Sequence, residues 1–319
     1  MADSSLIVVA LGGNAISRPE EEGNVDQQFA NSRITAKALA DLVDAGHRLV
    51  ITHGNGPQIG NFLLRNEAAA GMIYPLPMEV AVAHVQGGMG FMIAQTLMNE
   101  FRFRERERLV TTIVTTVLVD AEDTSFTDPT KPIGRTLSRS EAERYKIGEG
   151  WAVKEISPGK WRRVVASPQP RRIMEIETIR RLVVAGELLI TCGGGGIPVV
   201  RDAKKGLIGA RAVIDKDLAS ALLAAELGAD MMMILTAVDR VSINFGKPNE
   251  RALDRMTVSE TRRYLDEGQF PAGSMGPKVL SAIQFLTASE KPEAEVIIGP
   301  LHRAMDAMAG RIGTRIARG

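Results

Sequence analysis

Short apolar runs alternate with longer amphipathic stretches along this chain. Leu6 to Leu11, Leu49 to Thr52, Val110 to Val119, Leu188 to Thr191, Met231 to Leu235 and Glu295 to Ile298 are aliphatic and β-branched, the pattern of strands buried on both faces. Between the first two runs, Ile34, Ala38, Leu42 and Ala45 recur at helical spacing and Gly46 ends the pattern, which predicts a crossover helix closed by glycine. Met78 to Met98 predicts a long apolar helix with an internal Gly87-Gly88, running out into RFRERER as a solvated helix end. Such alternation predicts an α/β fold with a mostly parallel central sheet and helices on both faces.

From Asp120 to about Pro170 the texture changes. This segment is rich in Pro, Gly, Ser, Thr and charge, holds Trp151 and Trp161, and is too long for an ordinary connection. It reads as an inserted subdomain rather than a linker.

The chain has 319 residues, which suits one large α/β domain or two smaller ones. Its 39 basic and 38 acidic residues nearly cancel, so any anion-binding site must be local rather than a property of the whole surface. Aromatic residues are 4% and do not interleave with basic ones, which argues against single-stranded nucleic acid and for a small-molecule substrate. Cys192 is the single cysteine, so an intramolecular disulfide or thiolate metal cluster is excluded. The apolar run near the N-terminus is too short for a membrane span and lacks a basic n-region, and the reading is cytoplasmic, with neither a membrane nor nucleic acid as partner.

The candidate chemistry sits where strands end in glycine. The first runs into Gly12-Gly13-Asn14, either a tight turn or a nest of backbone N–H groups for an anion. The second ends at His53-Gly54-Asn55-Gly56-Pro57, just before a predicted helix, so the two turns imply one shared crevice. His53 suits a hydrogen-bonding scaffold better than a general base. Cys192 leads into Gly193 to Gly196, four glycines that are costly in entropy unless the backbone turns unusually or touches a ligand, while Cys192 itself reads as a small buried residue. Asp215-Lys216-Asp217 opens a helix; Lys216 can reach a phosphate with Asp217 orienting it, or the aspartates can serve as helix caps. Finally, two lysine-bearing turns follow the strand at 231–235, Asn244 to Pro248 and Gly273 to Lys278, the second opening a helix with backbone amides and Lys278 together.

The chain lacks GxGxxG after its first strand, GxxxxGK[ST], HExxH, GxSxG and any cysteine pair. Glycine turns and lysines with few candidate bases point to phosphoryl transfer, in which positioning and charge neutralisation do most of the catalysis.

Taken together, ALGGNA at 10–15, THGNGPQIG at 52–60, CGGGGIPV at 192–199, AVIDKDLAS at 212–220, NFGKP at 244–248 and GSMGPK at 273–278 resemble the carbamate kinases, a branch of the amino acid kinase superfamily. The resemblance covers nearly the whole chain. It implies a single domain over 1–319, an open αβα sandwich whose N-terminal half binds substrate and whose C-terminal half, from about 188, binds nucleotide. A protruding lid subdomain at 121–167 and a homodimer are implied as well. Where related kinases carry a lysine before the first glycine turn, Ala10 stands here, and Lys131 of the insertion is expected to supply that charge.

By the same resemblance, Lys131, Lys216, Asp217 and Lys278 are the catalytic set. Gly12, Gly13, Asn14, Gly54 and Asn55 hold the carbamate or carbamoyl phosphate, and Thr236, Ala237, Val238, Met275 and Gly276 join Lys216, Asp217 and Lys278 around ATP or ADP. Mg²⁺ is expected to arrive with the nucleotide phosphates and not on a dedicated set of protein ligands. The implied reaction is ATP + carbamate ⇌ ADP + carbamoyl phosphate, run towards ATP in arginine breakdown. Two other readings keep the fold: a nucleotide-sensing homologue without chemistry, and a kinase of another small carboxylic acid.

Overall fold

The first apolar run forms β1 (Leu6–Leu11), and its alternating side chains feed two different layers. Ile7, Val9 and Leu11 enter one hydrophobic core, and Leu6, Val8 and Ala10 enter another on the opposite face. The computed structural model describes residues 4–18, 21–271 and 273–319; the side chain of Asn14 lies outside the described set.

After β1 come α1 (Val25–Asp44), β2 (Arg48–His53), α2 (Gly56–Ala68) and α3 (Met78–Phe103). Asn24 and Gln27 form a reciprocal cap at the start of α1, and Gly46 turns the chain at φ 94° after its end, as its sequence predicts. Next are β3 (Val110–Thr112), β4 (Thr116–Val119), β5 (Lys131–Leu137), α4 (Arg139–Glu149), β6 (Val153–Ser157), β7 (Lys160–Val165) and β8 (Pro170–Ile173). They lead to α5 (Ile176–Val184), β9 (Leu188–Ile190), β10 (Ile197–Asp202), β11 (Gly206–Gly209) and α6 (Lys216–Leu227). The chain continues through β12 (Met231–Thr236), β13 (Val241–Ile243), β14 (Arg251–Leu253), β15 (Arg255–Thr257) and α7 (Val258–Asp266). It closes with α8 (Met275–Ala288), β16 (Glu295–Pro300), α9 (Ala304–Met308) and β17 (Thr314–Ala317).

The main sheet has the order β15-β17-β16-β12-β1-β2-β9-β3, parallel at every pairing except β16 with β17. The predicted mostly parallel α/β sheet is therefore present. A second sheet, β11-β10-β4-β8, lies beyond it. β5, β7 and β6 form a separate three-stranded sheet inside the stretch whose texture changes, with α4 packed on it through Leu137, Ala142 and Trp151.

The run Val110 to Val119, predicted as one strand, is two strands in different sheets. The cause is a tertiary contact: the buried Gln86 side chain of α3 accepts the Thr115 N–H at 2.5 Å, and Thr115 Oγ1 donates to Ile113 O, so the chain leaves the main sheet between β3 and β4. Among the described residues no helix is long and apolar enough to cross a membrane.

Candidate active site

Four neighbouring strands, β12, β1, β2 and β9, end at one edge of the main sheet, and the turns that follow them are laced to each other. Gly12 N–H donates to Leu235 O (2.9 Å), Gly54 N–H to Leu11 O (3.1 Å) and Thr191 N–H to Ile51 O (2.8 Å), extending the ladder into the turns. A cleft of about 400 Å³ opens over them, lined by Gly12, Gly13, Gly54, Asn55, Lys131, Arg162, Gly194, Asp215, Lys216, Asp217, Thr236, Ser274 and Lys278, among others. Ligand sites in parallel sheets are expected at such carboxyl ends.

Three helices point their N-termini into this space. α2 begins beside Asn55, α6 beside Asp215 and α8 beside Ser274, and all three residues line the cleft. A helix N-terminus carries a partial positive charge and N–H groups outside its own ladder, only some of which are taken here by Asp215 and by Pro271 O, so the convergence favours an anion. The amide nitrogen of Asn55 is buried without a hydrogen-bond partner, a donor left over for a bound group.

Cations from three elements are gathered here on two aspartates. Asp217, whose side chain is 4% exposed, receives Lys216 on Oδ1 and Lys278 on Oδ2 at 2.9 Å. Asp215 caps α6 by accepting the Asp217 N–H at 2.9 Å, while its other oxygen binds Lys131 of β5 at 2.7 Å. The capping reading of this segment is thus met by Asp215, and the same segment gathers the lysines of the cleft. Burial alone would raise the Asp217 carboxyl, but the attraction and hydrogen bonds of Lys216 and Lys278 overcome it and hold the group well below the usual carboxylate range. Burial lowers Lys216 and the like charge of Lys278 adds to this, against the pull of Asp217. For Lys278, burial is outweighed by Asp217, which raises the ammonium.

Close contacts restrict side chains in these turns, mildly at Gly54 and severely at Gly194. A Cβ on Gly54 would lie 3.1 Å from Lys216 Cδ, and one on Gly194, at φ 65°, would overlap the Asn55 amide at 2.0 Å. His53 is fully enclosed behind this turn, and burial pushes it down to about 4, so at neutral pH it is an uncharged scaffold. Cys192 is pushed up to about 12 by burial and is inert.

Not every residue from the sequence reading faces this cleft. Val238 and Met275 line a neighbouring cavity of about 450 Å³ together with Phe245, Phe270 and Ser242, and Ser274 borders both spaces. Ala237 is exposed and lines neither, and Gly276 is buried with its N–H on Pro271 O. Lys247, in the first lysine turn, is exposed and lines neither space. Arg162 of β7 lines the cleft as well, and the sequence gives no sign of it: arginine in the run WRR at 161–163 carries no positional signal.

The amino acid kinase family model matches residues 5–298. The carbamate kinase of Pyrococcus horikoshii is 45% identical over 97% of this chain and 98% of that protein. The carbamate kinase-like protein YqeA of Escherichia coli is 45% identical over 99% of this chain and all of its own length. Among solved structures, carbamate kinase from Giardia lamblia bound to AMP-PNP superposes with a TM-score of 0.90 at 42% identity, covering 99% of each chain. The chain thus belongs to the amino acid kinase family and, within it, to the carbamate kinases.

Proposed function

We propose that the protein catalyses reversible phosphoryl transfer between ATP and carbamate, giving ADP and carbamoyl phosphate, with the cleft over β12, β1, β2 and β9 as the site. The observation that carries this reading is the meeting of Lys131, Lys216 and Lys278, from separate elements, at the glycine turns of β1 and β2. In the ATP-forming direction an oxygen of the ADP β-phosphate attacks phosphorus, a new P–O bond forms, and the P–O bond to carbamate breaks. Carbamate leaves as an anion, so no side chain need move a proton.

What does need work is charge. Two like unit charges 4 Å apart repel by about 4 kcal/mol at an effective dielectric constant of about 20, and two phosphorylated anions bring several such pairs. In this reading Lys216 and Lys131 act on the transferring group, Lys278 acts on the nucleotide phosphates, and Asp217 holds Lys216 and Lys278 in register. Gly12, Gly13, Gly54 and the Asn55 amide receive the carbamoyl end, and the apolar cavity beside Met275 and Phe245 receives the base.

Mg²⁺ belongs to the nucleotide substrate. The donor set fits this: Asp215 and Asp217 already accept from lysines, and no group of three or more His, Cys, Asp or Glu able to hold a metal gathers among the described residues. We further take the protein to be a cytoplasmic homodimer working towards ATP in arginine breakdown.

The test is ATP formation from MgADP and carbamoyl phosphate. Rapid ATP formation with carbamoyl phosphate, and not with acetyl phosphate, is expected; a folded, nucleotide-binding protein that forms none would sink the reading. Lys278→Ala is expected to weaken MgADP binding about tenfold by calorimetry and to lower turnover as well. Normal affinity in that variant would remove Lys278 from the nucleotide site. The pH profile offers a separate check. Lys216 must carry its proton to act, and its value lies below the ordinary 10.5, so turnover should fall as pH rises through that lowered value. An initial-rate plateau persisting to 10.5 would contradict the assignment.

A further inference from the structure

We infer that Gly60, which lines no part of the cleft, is a positioning residue for Lys131, acting through a backbone contact that docks the three-stranded subdomain onto α2. The inference rests on Lys131 taking part in the phosphoryl transfer proposed above.

Gly60 lies one turn into α2, where glycine costs about 0.5–1 kcal/mol relative to alanine, so the helix itself gives no reason for it. The reason lies across the interface. A Cβ on Gly60 would stand 1.9 Å from Gly134 Cα and 2.4 Å from Gly134 N. Both are backbone atoms of β5, which cannot rotate aside as a side chain can. Gly134 has φ 70° and sits where the β5–β7 register shifts, and its carbonyl accepts Arg162 Nη2 at 2.6 Å. Lys131 precedes it by three residues on the same strand.

A second tether lies two turns further along α2. Glu67 Oε1 receives Arg163 Nη1 at 2.7 Å, and the Arg163 guanidinium lies 4.3 Å from the centre of the Trp151 ring. Between the tethers the space bounded by Gly60, Leu64, Gly134, Trp151 and Arg163 is about 10 Å³, room for about one water, and an added methyl group at Gly60 would point at the Gly134 backbone. The N-terminus of α2 carries the Asn55 turn. One rigid helix therefore holds the turn of the cleft at its start and the subdomain one turn later, and the Gly60–Gly134 contact sets how far Lys131 reaches over that turn.

The experiment combines initial rates of ATP formation for wild type, Gly60→Ala, Lys131→Ala and the double variant with tryptophan emission. Trp151 and Trp161 are the only tryptophans and both belong to the subdomain, so emission reports its seating. Gly60→Ala is expected to lower kcat by about 10- to 100-fold, to leave KM for MgADP within about twofold, and to shift the emission. In the Lys131→Ala background, itself about 100-fold slower, it should cost nothing further. Unchanged kcat in the single variant, or the same loss in both backgrounds, overturns the inference. If Gly60→Ala does not fold, Glu67→Gln replaces it in the same cycle, with a loss of about threefold that must also vanish without Lys131; a loss that persists, or none at all, overturns it equally. A wild type that forms no ATP would defeat the phosphotransfer reading itself, a result separate from either of these.

Discussion

Lys216→Ala is expected to lower the rate of ATP formation by about 1,000-fold while the protein remains folded. Lys216 is the most enclosed of the three cleft lysines, with its side chain 11% exposed, its ammonium on Asp217 and its stem against Gly54. A preorganised cation in a site with little water is worth far more than one in solution, because nothing must reorganise as charge shifts during transfer. Stability should change little. Burial already disfavours the charged form of Lys216, and Asp217 keeps Lys278 as its partner after the substitution. Lys216→Arg should fail to rescue, since a planar guanidinium cannot take the place of a compact ammonium held on Asp217 Oδ1 in so enclosed a position. Stopped-flow or coupled initial rates, with circular dichroism as the folding control, decide the matter. Turnover within tenfold of wild type would remove Lys216 from the transferring group.

The parts legible in sequence are those with a local signature. β1, β2, β9, β12 and β16 were found because strands buried on both faces are continuous aliphatic runs, and the turns after them because adjacent glycines are conspicuous. Lys216 and Lys278 stood out as lysines at helix starts. What stayed hidden depends on partners distant in sequence. The break at Thr115 is made by Gln86 of α3, and a β-branched run gives no sign of it. Arg162 and Gly60 acquire meaning only when β5, β7 and α2 meet, and a lone glycine or arginine reads the same in any context. The nucleotide assignments divide for a similar reason: Val238 and Met275 line the second cavity, whereas the intervening geometry turns Ala237 outwards and encloses Gly276.

Asp217→Asn is expected to cost about 3–5 kcal/mol of stability at neutral pH and to lower turnover about 100-fold or more. The carboxylate is 4% exposed and is the shared counter-charge of two enclosed ammonium groups. An amide of the same shape keeps the packing, so the effect isolates charge. Its removal leaves Lys216 and Lys278 repelling each other with reduced compensation, and burial then favours loss of a proton from one of them. The sign of the pH dependence follows. Asp217 titrates lower in the folded protein than its ordinary 3.8, so its contribution is fully present above that value and is lost as pH falls through the folded one. The gap between wild type and variant in denaturant unfolding should therefore be wide at neutral pH and narrow on acidification below 3.8. It should narrow at alkaline pH too, where the lysines lose the charges that Asp217 compensates. In turnover, the alkaline fall of the variant should move to lower pH than in wild type, because Lys216 has lost its stabilising anion. Equal stabilities at pH 7 would mean that Asp215 and water suffice to hold both lysines, and the role given to Asp217 would have to be abandoned.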